Sequence, residues 1–334
     1  MRRTLMLFML LVPCAAQADP STPPGWTVEE VQLGLQQPSG LAWSDGLIIT
    51  DLASGRVVRV QQDKSLTDVT KPLPTGLDVM GQPTGPYKVK ALGRSIFVSQ
   101  GWPDANASPV PTDHAIVSFQ DATMTPRIDS SDFWNPYDFE VIGQPNDGVD
   151  LVAVDAGKNA LVSLQGGTAT TVYEFPRLKR DAGEMSELSP TEFGNAAPYE
   201  VDAVPAGLAV KDGRAWVTLF GGFPFVPKGG AVVSLALKDK GSVPRTEVEG
   251  LDSPIDVEFT KDGKMLILEM GAFDMASGFV AGTGRLSILD PSSGKLQPLL
   301  EGLDRPVTVL AAPGGDIYVT ALSGHVYRLT HTAQ

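Results

Sequence analysis

The sequence is short of the residues that most catalytic and metal sites require. Its single cysteine, Cys14, lies near the N-terminus, so the rest of the chain offers neither disulfides nor thiol catalysis. The only histidines are His114, His325 and His331, and no two of them have metal-ligand spacing. No Gly-x-Ser-x-Gly elbow or phosphate-binding glycine loop occurs in a strand–turn–helix context. We therefore assign no catalytic residue from the sequence.

Long apolar runs and excess positive charge are also missing. The apolar run Leu5–Val12 is too short to span a bilayer, which requires roughly 20 residues. Arg2 and Arg3 precede this run and Ala16-Gln17-Ala18 follows it, which predicts a secretory signal peptide over residues 1–18, cleaved after its last alanine. The net charge of −13 repels nucleic acid and anionic membrane surfaces. The sequence thus predicts a periplasmic or secreted protein without a membrane span or a nucleic-acid partner.

What the sequence does contain is a repeat that begins with proline and occurs six times. Successive prolines are about fifty residues apart, and one interval is about twenty residues longer. This period, filled with short β segments and glycine-containing turns, is typical of a β-propeller. Residues 19–334 are therefore predicted to form one domain of six blades, which start near Pro38, Pro86, Pro136, Pro205, Pro254 and Pro306.

The third block shows the content of one blade. Turn residues separate four runs rich in Val, Leu, Tyr and Thr, at Tyr137–Ile142, Val149–Asp155, Ala160–Gln165 and Thr168–Glu174. We therefore expect an all-β, six-bladed propeller with four antiparallel strands per blade. The last block lacks its fourth strand, and Val31–Leu35 matches the fourth strands of other blocks. An N-terminal strand is thus predicted to close the final blade and to remove the exposed sheet edges.

Loop lengths predict which face of the ring carries a site. In a four-stranded meander, the connections between second and third strands share a face with the links between blades. The long connections of this kind are Gly101–Asp113, Phe220–Gly230 and Gly271–Gly284. Because binding residues concentrate in loops on a rigid scaffold, this open face is predicted to bind a ligand, with Trp102, Phe223 and Phe225 as contacts. Alternatively, the phenylalanines fold back over their own blade.

Charged residues occupy the positions two and four residues after several prolines, where they should surround the axial channel. The predicted ligand-binding residues among them are Lys88, Asp138, Glu140, Asp256 and Glu258. Oxygen ligands suit Ca²⁺, and the candidate cation ligands are Asp138, Asp155, Asp256 and Glu269. Alternatively, Lys88 and Lys90 pair with these carboxylates and hold neighbouring blades in register.

Short segments of blades three and four carry a family resemblance. They are Asn135-Pro136-Tyr137, Asp155-Ala156-Gly157, Asn159-Ala160-Leu161, Val204–Val210, and Gly222-Phe223-Pro224-Phe225 leading to Gly230-Ala231-Val232. In these segments the chain resembles the ScyD/ScyE family of secreted bacterial propellers, which is related to NHL-repeat and SMP-30/gluconolactonase-like rings. The resemblance extends over nearly the whole chain after the leader. It implies a six-bladed extracytoplasmic ring and no particular reaction.

The resemblance to the lactonases also implies what a metal site would need. Those enzymes hold a divalent cation with a Glu near the first repeat, an Asn just after a proline, and an Asp. This chain has Gln36-Gln37 at the first of these positions, and no Asn follows any of the repeat prolines. We therefore expect a binding or scaffold protein that engages a small molecule, glycan or protein at the open face of the channel. The alternative is a metal-dependent, Ca²⁺-type hydrolase of the lactonase class.

Overall fold

A computed structural model of the protein describes residues 19–77, 83–101, 112–120, 123–128, 133–143, 150–180, 199–239, 241–290 and 293–332. Within these ranges the regular structure is entirely β, and no helix is long and apolar enough to cross a membrane. Six antiparallel sheets of four strands each form a six-bladed β-propeller, which confirms the predicted fold class. The predicted leader and Trp102 lie outside the described residues.

Each blade runs from an innermost first strand, next to the channel, to an outermost fourth strand. Blades one to three consist of Pro38–Trp43, Leu47–Asp51, Arg56–Val60 and Leu66–Asp68; Pro86–Leu92, Ser95–Gln100, Ala115–Gln120 and Thr123–Ile128; and Pro136–Val141, Leu151–Asp155, Ala160–Gln165 and Thr168–Glu174. Blades four to six consist of Pro205–Lys211, Arg214–Leu219, Gly230–Ala236 and Arg245–Leu251; Pro254–Phe259, Met265–Glu269, Gly284–Asp290 and Lys295–Leu303; and Pro306–Ala311, Ile317–Ala321, His325–His331 and Trp26–Glu30. Short strand pairs in the connections are Gly76–Leu77 with Pro83–Thr84, Leu178–Arg180 with Tyr199–Val201, and Phe273–Asp274 with Gly278–Phe279.

The hydrophobic core lies between the blades rather than inside any one of them. Between blades two and three, for example, Phe97 and Ile116 of one sheet pack against Phe139 and Leu151 of the next, and all are fully buried. Burial of each such side chain contributes about 1.5–3 kcal/mol. Because every sheet has neighbours on both sides, each blade depends on the two that flank it, and the ring is stable as a closed unit.

The N-terminal strand closes the final blade, as predicted, but an earlier segment forms it. Trp26–Glu30 pairs antiparallel with the third strand of blade six, His325–His331. The predicted segment Val31–Leu35 continues this pairing only through the Val31 N–H, which donates to the carbonyl of Val326 at 2.7 Å. Its apolar side chains instead pack into the cluster between blades six and one. The segment therefore leads the chain inward to the first blade.

Removal of the closing strand should destabilise the whole ring. Deletion of residues 19–30 unpairs the edge of His325–His331 and exposes the apolar face beneath Trp26 and Val28. We expect the truncated protein to be insoluble or to melt roughly 10 °C lower or more in differential scanning calorimetry. Deletion of only Asp19 and Pro20, which precede the bridge between Ser21 and Glu301, should leave the melting temperature unchanged. Equal melting temperatures for the two deletions would refute the closure.

Candidate functional site

The first strands surround the axial channel, and their direction defines its two faces. Each strand starts at its proline on the loop-rich face, which carries the links between blades and the long second-to-third-strand connections. It ends on the hairpin face, which carries the short turns between first and second strands. Side chains two residues after a proline form a buried layer of the channel, and those four residues after it form a mouth layer nearer the hairpin face.

Lys88 is the centre of the buried layer. Its Nζ lies 3.0 Å from Asp256 Oδ2 and 4.0 Å from Asp138 Oδ2, and it donates a hydrogen bond of 2.9 Å to the carbonyl of Val307. All three charged side chains are at most 5% exposed. Since blade two lies opposite blade five, the lysine reaches across the channel. The structure thus shows the pairing of Lys88 with carboxylates that the structural alternative predicted.

The two aspartates of this layer also link neighbouring blades. Asp138 accepts hydrogen bonds from the N–H of Phe139 (2.8 Å) and from the N–H of Leu208 in blade four (2.9 Å). Asp256 has the same arrangement: it accepts hydrogen bonds from the N–H of Val257 (3.0 Å) and from the N–H of Val309 in blade six (2.8 Å). Burial raises the pKa of Asp256, and Lys88 and the hydrogen bond from the Val309 N–H oppose this shift. Both side chains are therefore committed to holding the ring together.

Hydroxyl groups make a comparable link in other blades. Their donors are second-strand side chains, and their acceptors are carbonyls of the next blade. The pairs are Thr50 with Tyr87, Ser99 with Tyr137, and Thr320 with Ser39. Aspartate on the first strand thus links blades three and five to the next blade, and a hydroxyl on the second strand links blades one, two and six.

The mouth layer combines one ion pair with a second carboxylate. Lys90 Nζ lies 2.6 Å from Glu140 Oε1, and both side chains are 23% exposed. Burial disfavours the charge on Lys90, but Glu140, Asp138 and Glu258 outweigh it and raise the lysine pKa. Burial also raises the pKa of Glu140, against the opposing effect of Lys90. At neutral pH the lysine is therefore charged.

Glu258 is the titratable group of the mouth layer. Burial raises its pKa to about 7, an effect that Lys90 opposes and Glu140 reinforces. One carboxyl oxygen accepts the N–H of Phe259 at 2.7 Å. The side chain can therefore act as either hydrogen-bond donor or acceptor near neutral pH.

Both layers line an axial cavity of about 250 Å³. Its rim consists of residues from the ends of first strands and the following turn, which are Trp43, Leu92, Val141, Ala311 and Pro313. Thr308 also lines it, and this buried hydroxyl has no hydrogen-bond partner among the described residues. A buried polar group without a partner costs about 1–3 kcal/mol, so a polar ligand at this position would be stabilised.

Aromatic side chains fill the other end of the channel. The rings of Tyr87 and Tyr137, each directly after its proline, lie 4.9 Å apart between centroids. Tyr137 packs against the cluster that contains Ala206, Ile255 and Val307 of the three blades across the axis. The cavity therefore opens on the hairpin face, opposite the face that loop lengths predicted. The reason is that the strands run away from the loop-rich face, so the charged positions lie deeper than the residues next to the prolines.

The predicted set of cation ligands is not brought together. Asp155 accepts hydrogen bonds from the N–H groups of Trp134 (2.8 Å), Asn135 (3.0 Å) and Lys158 (3.0 Å). These contacts hold the link that enters its own blade.

Glu269 has the same kind of role. It accepts the N–H of Asp252 at 2.7 Å and pairs with Arg285 at 2.6 Å. Both carboxylates thus lie at the ends of second strands, away from Asp138 and Asp256 in the channel. Across the part of the chain that the structure describes, no group of three or more His, Cys, Asp or Glu side chains is arranged to hold a metal ion.

The phenylalanines of the long loops pack chiefly on one another. The Phe225 ring centroid lies 5.6 Å from Phe220, 4.9 Å from Phe273 and 5.2 Å from Phe279. Phe223 lies at the edge of this cluster and is 38% exposed. Aromatic pairs of this geometry contribute about 0.5–1.5 kcal/mol beyond their buried area. The cluster joins blades four and five on the loop-rich face, rather than covering one blade alone as the alternative predicted, and none of its phenylalanines lines the axial cavity.

Thr308 and Trp43 are among the cavity residues that the sequence analysis did not select. Thr308 stands at the position two residues after the sixth proline, where attention to charge alone passed over a hydroxyl. Trp43 ends the first strand of blade one, and nothing in the local pattern shows that it faces the channel mouth. The period of the repeat is sufficient to place Thr308 in the channel, but it does not place Trp43 at the channel mouth.

Comparison with known proteins places this fold among other ring-shaped proteins. No family model matches the chain, and no curated protein matches it in sequence. A solved gluconolactonase from Xanthomonas campestris is 12% identical over 94% of this chain and 95% of its own length, with a TM-score of 0.61. The soluble aldose sugar dehydrogenase of Escherichia coli is 16% identical over 92% of this chain and 99% of its own, with a TM-score of 0.57. A streptogramin B lyase structure is 14% identical over 91% of this chain and 97% of its own length, with a TM-score of 0.51. At these identities the similarity shows the fold alone, so the chain shares the propeller fold of gluconolactonases, and the resemblance to the ScyD/ScyE family stays a prediction.

Replacement of Lys88 by Met should destabilise the protein strongly. Loss of one partner from a buried ion pair costs about 3–5 kcal/mol, because the remaining buried partner loses its compensating charge. Lys264→Met serves as the matched control, since its exposed pair with Asp262 should contribute only about 1 kcal/mol or less. Urea unfolding would measure both. Asp256→Asn should partly restore the stability of Lys88→Met, whereas equal losses in the two lysine variants would contradict the central role of Lys88.

The raised pKa of Glu258 should make stability depend on pH in a known direction. Between the ordinary glutamate pKa of 4.5 and about 7, the folded protein binds a proton that the unfolded chain has released, so stability falls as pH rises through this window. Glu258→Gln should therefore unfold with a free energy on the order of 1–3 kcal/mol higher at pH 8 than the unchanged protein. The difference should vanish near pH 4. Parallel pH profiles of the two proteins in urea unfolding would overturn this assignment.

Proposed function

We propose that this protein is an extracytoplasmic binding propeller that holds a small polar molecule in its axial cavity. The observation that carries the proposal is Thr308, which lines the cavity and whose buried hydroxyl lacks a partner among the described residues. Glu258 lies in the same cavity with a pKa of about 7. Together they offer hydrogen bonds that the folded chain leaves unused.

The charges of the cavity select the class of ligand. Four carboxylates and two ammonium groups line it, so it carries excess negative charge when all are ionised. Lys88 and Lys90 are already paired with carboxylates and offer little to an anion. The acidic protein surface repels anions as well. The ligand is therefore an uncharged, hydroxyl-rich molecule or a small cation.

The cellular setting and family form part of the same proposal. The leader predicted over residues 1–18 would carry the chain out of the cytoplasm, and the mature protein would begin at Asp19. The resemblance to the ScyD/ScyE propellers supports this setting. Binding through the hairpin face leaves the loop-rich face available for a scaffold role with a protein partner.

A hydrolase of the lactonase class is the second candidate function. The observation that favours it is the pKa of Glu258, because a carboxyl group that titrates near pH 7 suits general acid–base catalysis. The similar folds of gluconolactonases support it as well. The Ca²⁺ that the resemblance implies does not fit the residues present, since Asp138 and Asp256 are bonded to backbone N–H groups and Lys88.

A thermal-shift screen tests where and what the protein binds. The probes are glucose, glycerol, myo-inositol, putrescine and glucono-δ-lactone, each with CaCl₂ or with EDTA. We expect at least one neutral or cationic probe to raise the melting temperature, with an affinity at least about tenfold weaker in Thr308→Val, a loss of one good hydrogen bond.

Phe223→Ala distinguishes the two faces of the ring in the same screen. Binding that survives Phe223→Ala but not Thr308→Val supports the axial cavity, whereas the reverse pattern supports the loop-rich face. A shift from none of the probes contradicts the binding proposal. Lactone hydrolysis that disappears in Glu258→Gln, or a Ca²⁺-dependent shift that EDTA reverses, would favour the hydrolase instead.

A further inference from the structure

A second concavity adjoins the axial cavity on the hairpin face. This lateral groove of about 940 Å³ lies between blades one and six and extends to the closing N-terminal strand. Trp43 lines both the groove and the axial cavity. The two concavities therefore meet at one aromatic side chain.

Trp43 presents a flat apolar surface at this junction. The side chain is 39% exposed, and Tyr318 supports it from the groove side with a ring-centroid distance of 6.1 Å. Tryptophan combines a large apolar surface with a polar N–H, and it is enriched at binding interfaces for this reason. The weakly polar C–H face of a sugar ring is the chemical surface that packs on such an aromatic plane while its hydroxyls reach the polar groups at the edge.

The remaining groove wall is polar, and it carries four carboxylates and two cationic groups. Arg328 pairs with Asp316 at 2.6 Å, and Lys64 pairs with Glu29 at 3.1 Å. Further polar side chains on the wall are Asp45, Gln61, Gln62, Asp63 and Ser65. Such a surface offers many hydrogen-bond donors and acceptors to hydroxyl groups and little depth for an apolar side chain.

The sizes of the two concavities suggest how a ligand would divide between them. At 250 Å³ the axial cavity lies just below the range of about 300–1,000 Å³ that suits drug-sized ligands, so it accepts one ring rather than a chain. The groove is several times larger and is open along its length. A linear molecule with one terminal ring in the cavity would continue over Trp43 into the groove.

We propose that cavity and groove form one binding site for a neutral or amino-sugar oligosaccharide. The terminal sugar lies in the axial cavity near Thr308 and Glu258, the next sugar packs on Trp43, and the following sugars lie along the groove. Acidic glycans are excluded by the carboxylates of the cavity and the net charge of the chain. This inference rests on the proposed binding function and adds the class and length of the ligand.

A glycan array followed by calorimetry tests the inference. The array carries neutral, amino and acidic oligosaccharides, and calorimetry compares glucose and N-acetylglucosamine with cellohexaose and chitohexaose. We expect a neutral or amino-sugar hexamer to bind at least about tenfold more tightly than its monomer, which corresponds to 1.4 kcal/mol. Trp43→Ala should remove this advantage and leave monomer binding within about threefold, while Trp43→Phe should retain most of it.

Trp134→Ala is the matched control. Trp134 is 64% exposed and lines neither concavity, so its removal should change nothing. Equal affinities for monomer and hexamer, or hexamer binding that Trp43→Ala leaves unchanged, would overturn the inference. In that case, monomer binding that depends on Thr308 would still support the proposed function. The inference would also be overturned if the protein bound only acidic glycans, if it bound nothing on the array, or if it bound a casein-derived peptide library in a way that depends on Trp43. Absence of monomer binding as well would count against the proposed function itself.

Discussion

The contact between Lys88 and the carboxylates across the channel is the interaction on which the rest of the structure depends. It joins blade two to blades three, five and six through two aspartates and a carbonyl, and none of these groups is accessible to water as an alternative partner. Ion pairs in such surroundings contribute little net stability when intact and cost several kcal/mol when broken. Such ion pairs favour one arrangement of the blades over others, because only that arrangement satisfies every partner.

The ion pairs of Lys88 limit which groups of the channel are available to a ligand. Asp138 and Asp256 already bond to neighbouring backbone N–H groups and to Lys88, so the chemistry available to a ligand comes from other groups of the cavity. In the mouth layer Glu258 titrates near pH 7, and in the buried layer Thr308 lacks a partner among the described residues. The tyrosines beneath the lysine close the loop-rich end, and the phenylalanine cluster shows that part of the extra loop length on that face serves packing between blades.

The seam where the ring closes has a second consequence. The N-terminal strand joins blade six, and the lateral groove forms where that blade meets the first one. The ion pair between Lys64 and Glu29 crosses this seam, and Trp43 stands between the seam and the channel. Closure of the fold and the proposed oligosaccharide site therefore share the same elements, so variants at the seam should be checked for folding before binding is interpreted.

The sequence by itself determined the features that repeat locally: six blades of four strands, hairpins at the Asp-Gly turns, and closure by an N-terminal strand. It also placed Lys88, Asp138 and Asp256 in the channel, because position within a repeat sets which side chains face the axis. Two glycines of the first strands have a steric reason, since a Cβ would lie 2.7 Å (Gly40) or 2.4 Å (Gly207) from backbone atoms of the next blade.

Only the tertiary structure decided which partners these residues meet. Asp138 and Asp155 look alike in sequence, yet Asp138 bonds to the next blade and Asp155 holds the link that precedes its own blade. The choice of Trp26–Glu30 over Val31–Leu35 as the closing strand depends on a partner at the opposite end of the chain. The face on which the cavity opens depends on tyrosines from two blades that meet at the axis. Local pattern specifies strands and turns, whereas contacts between residues far apart in the chain arise only when the ring closes.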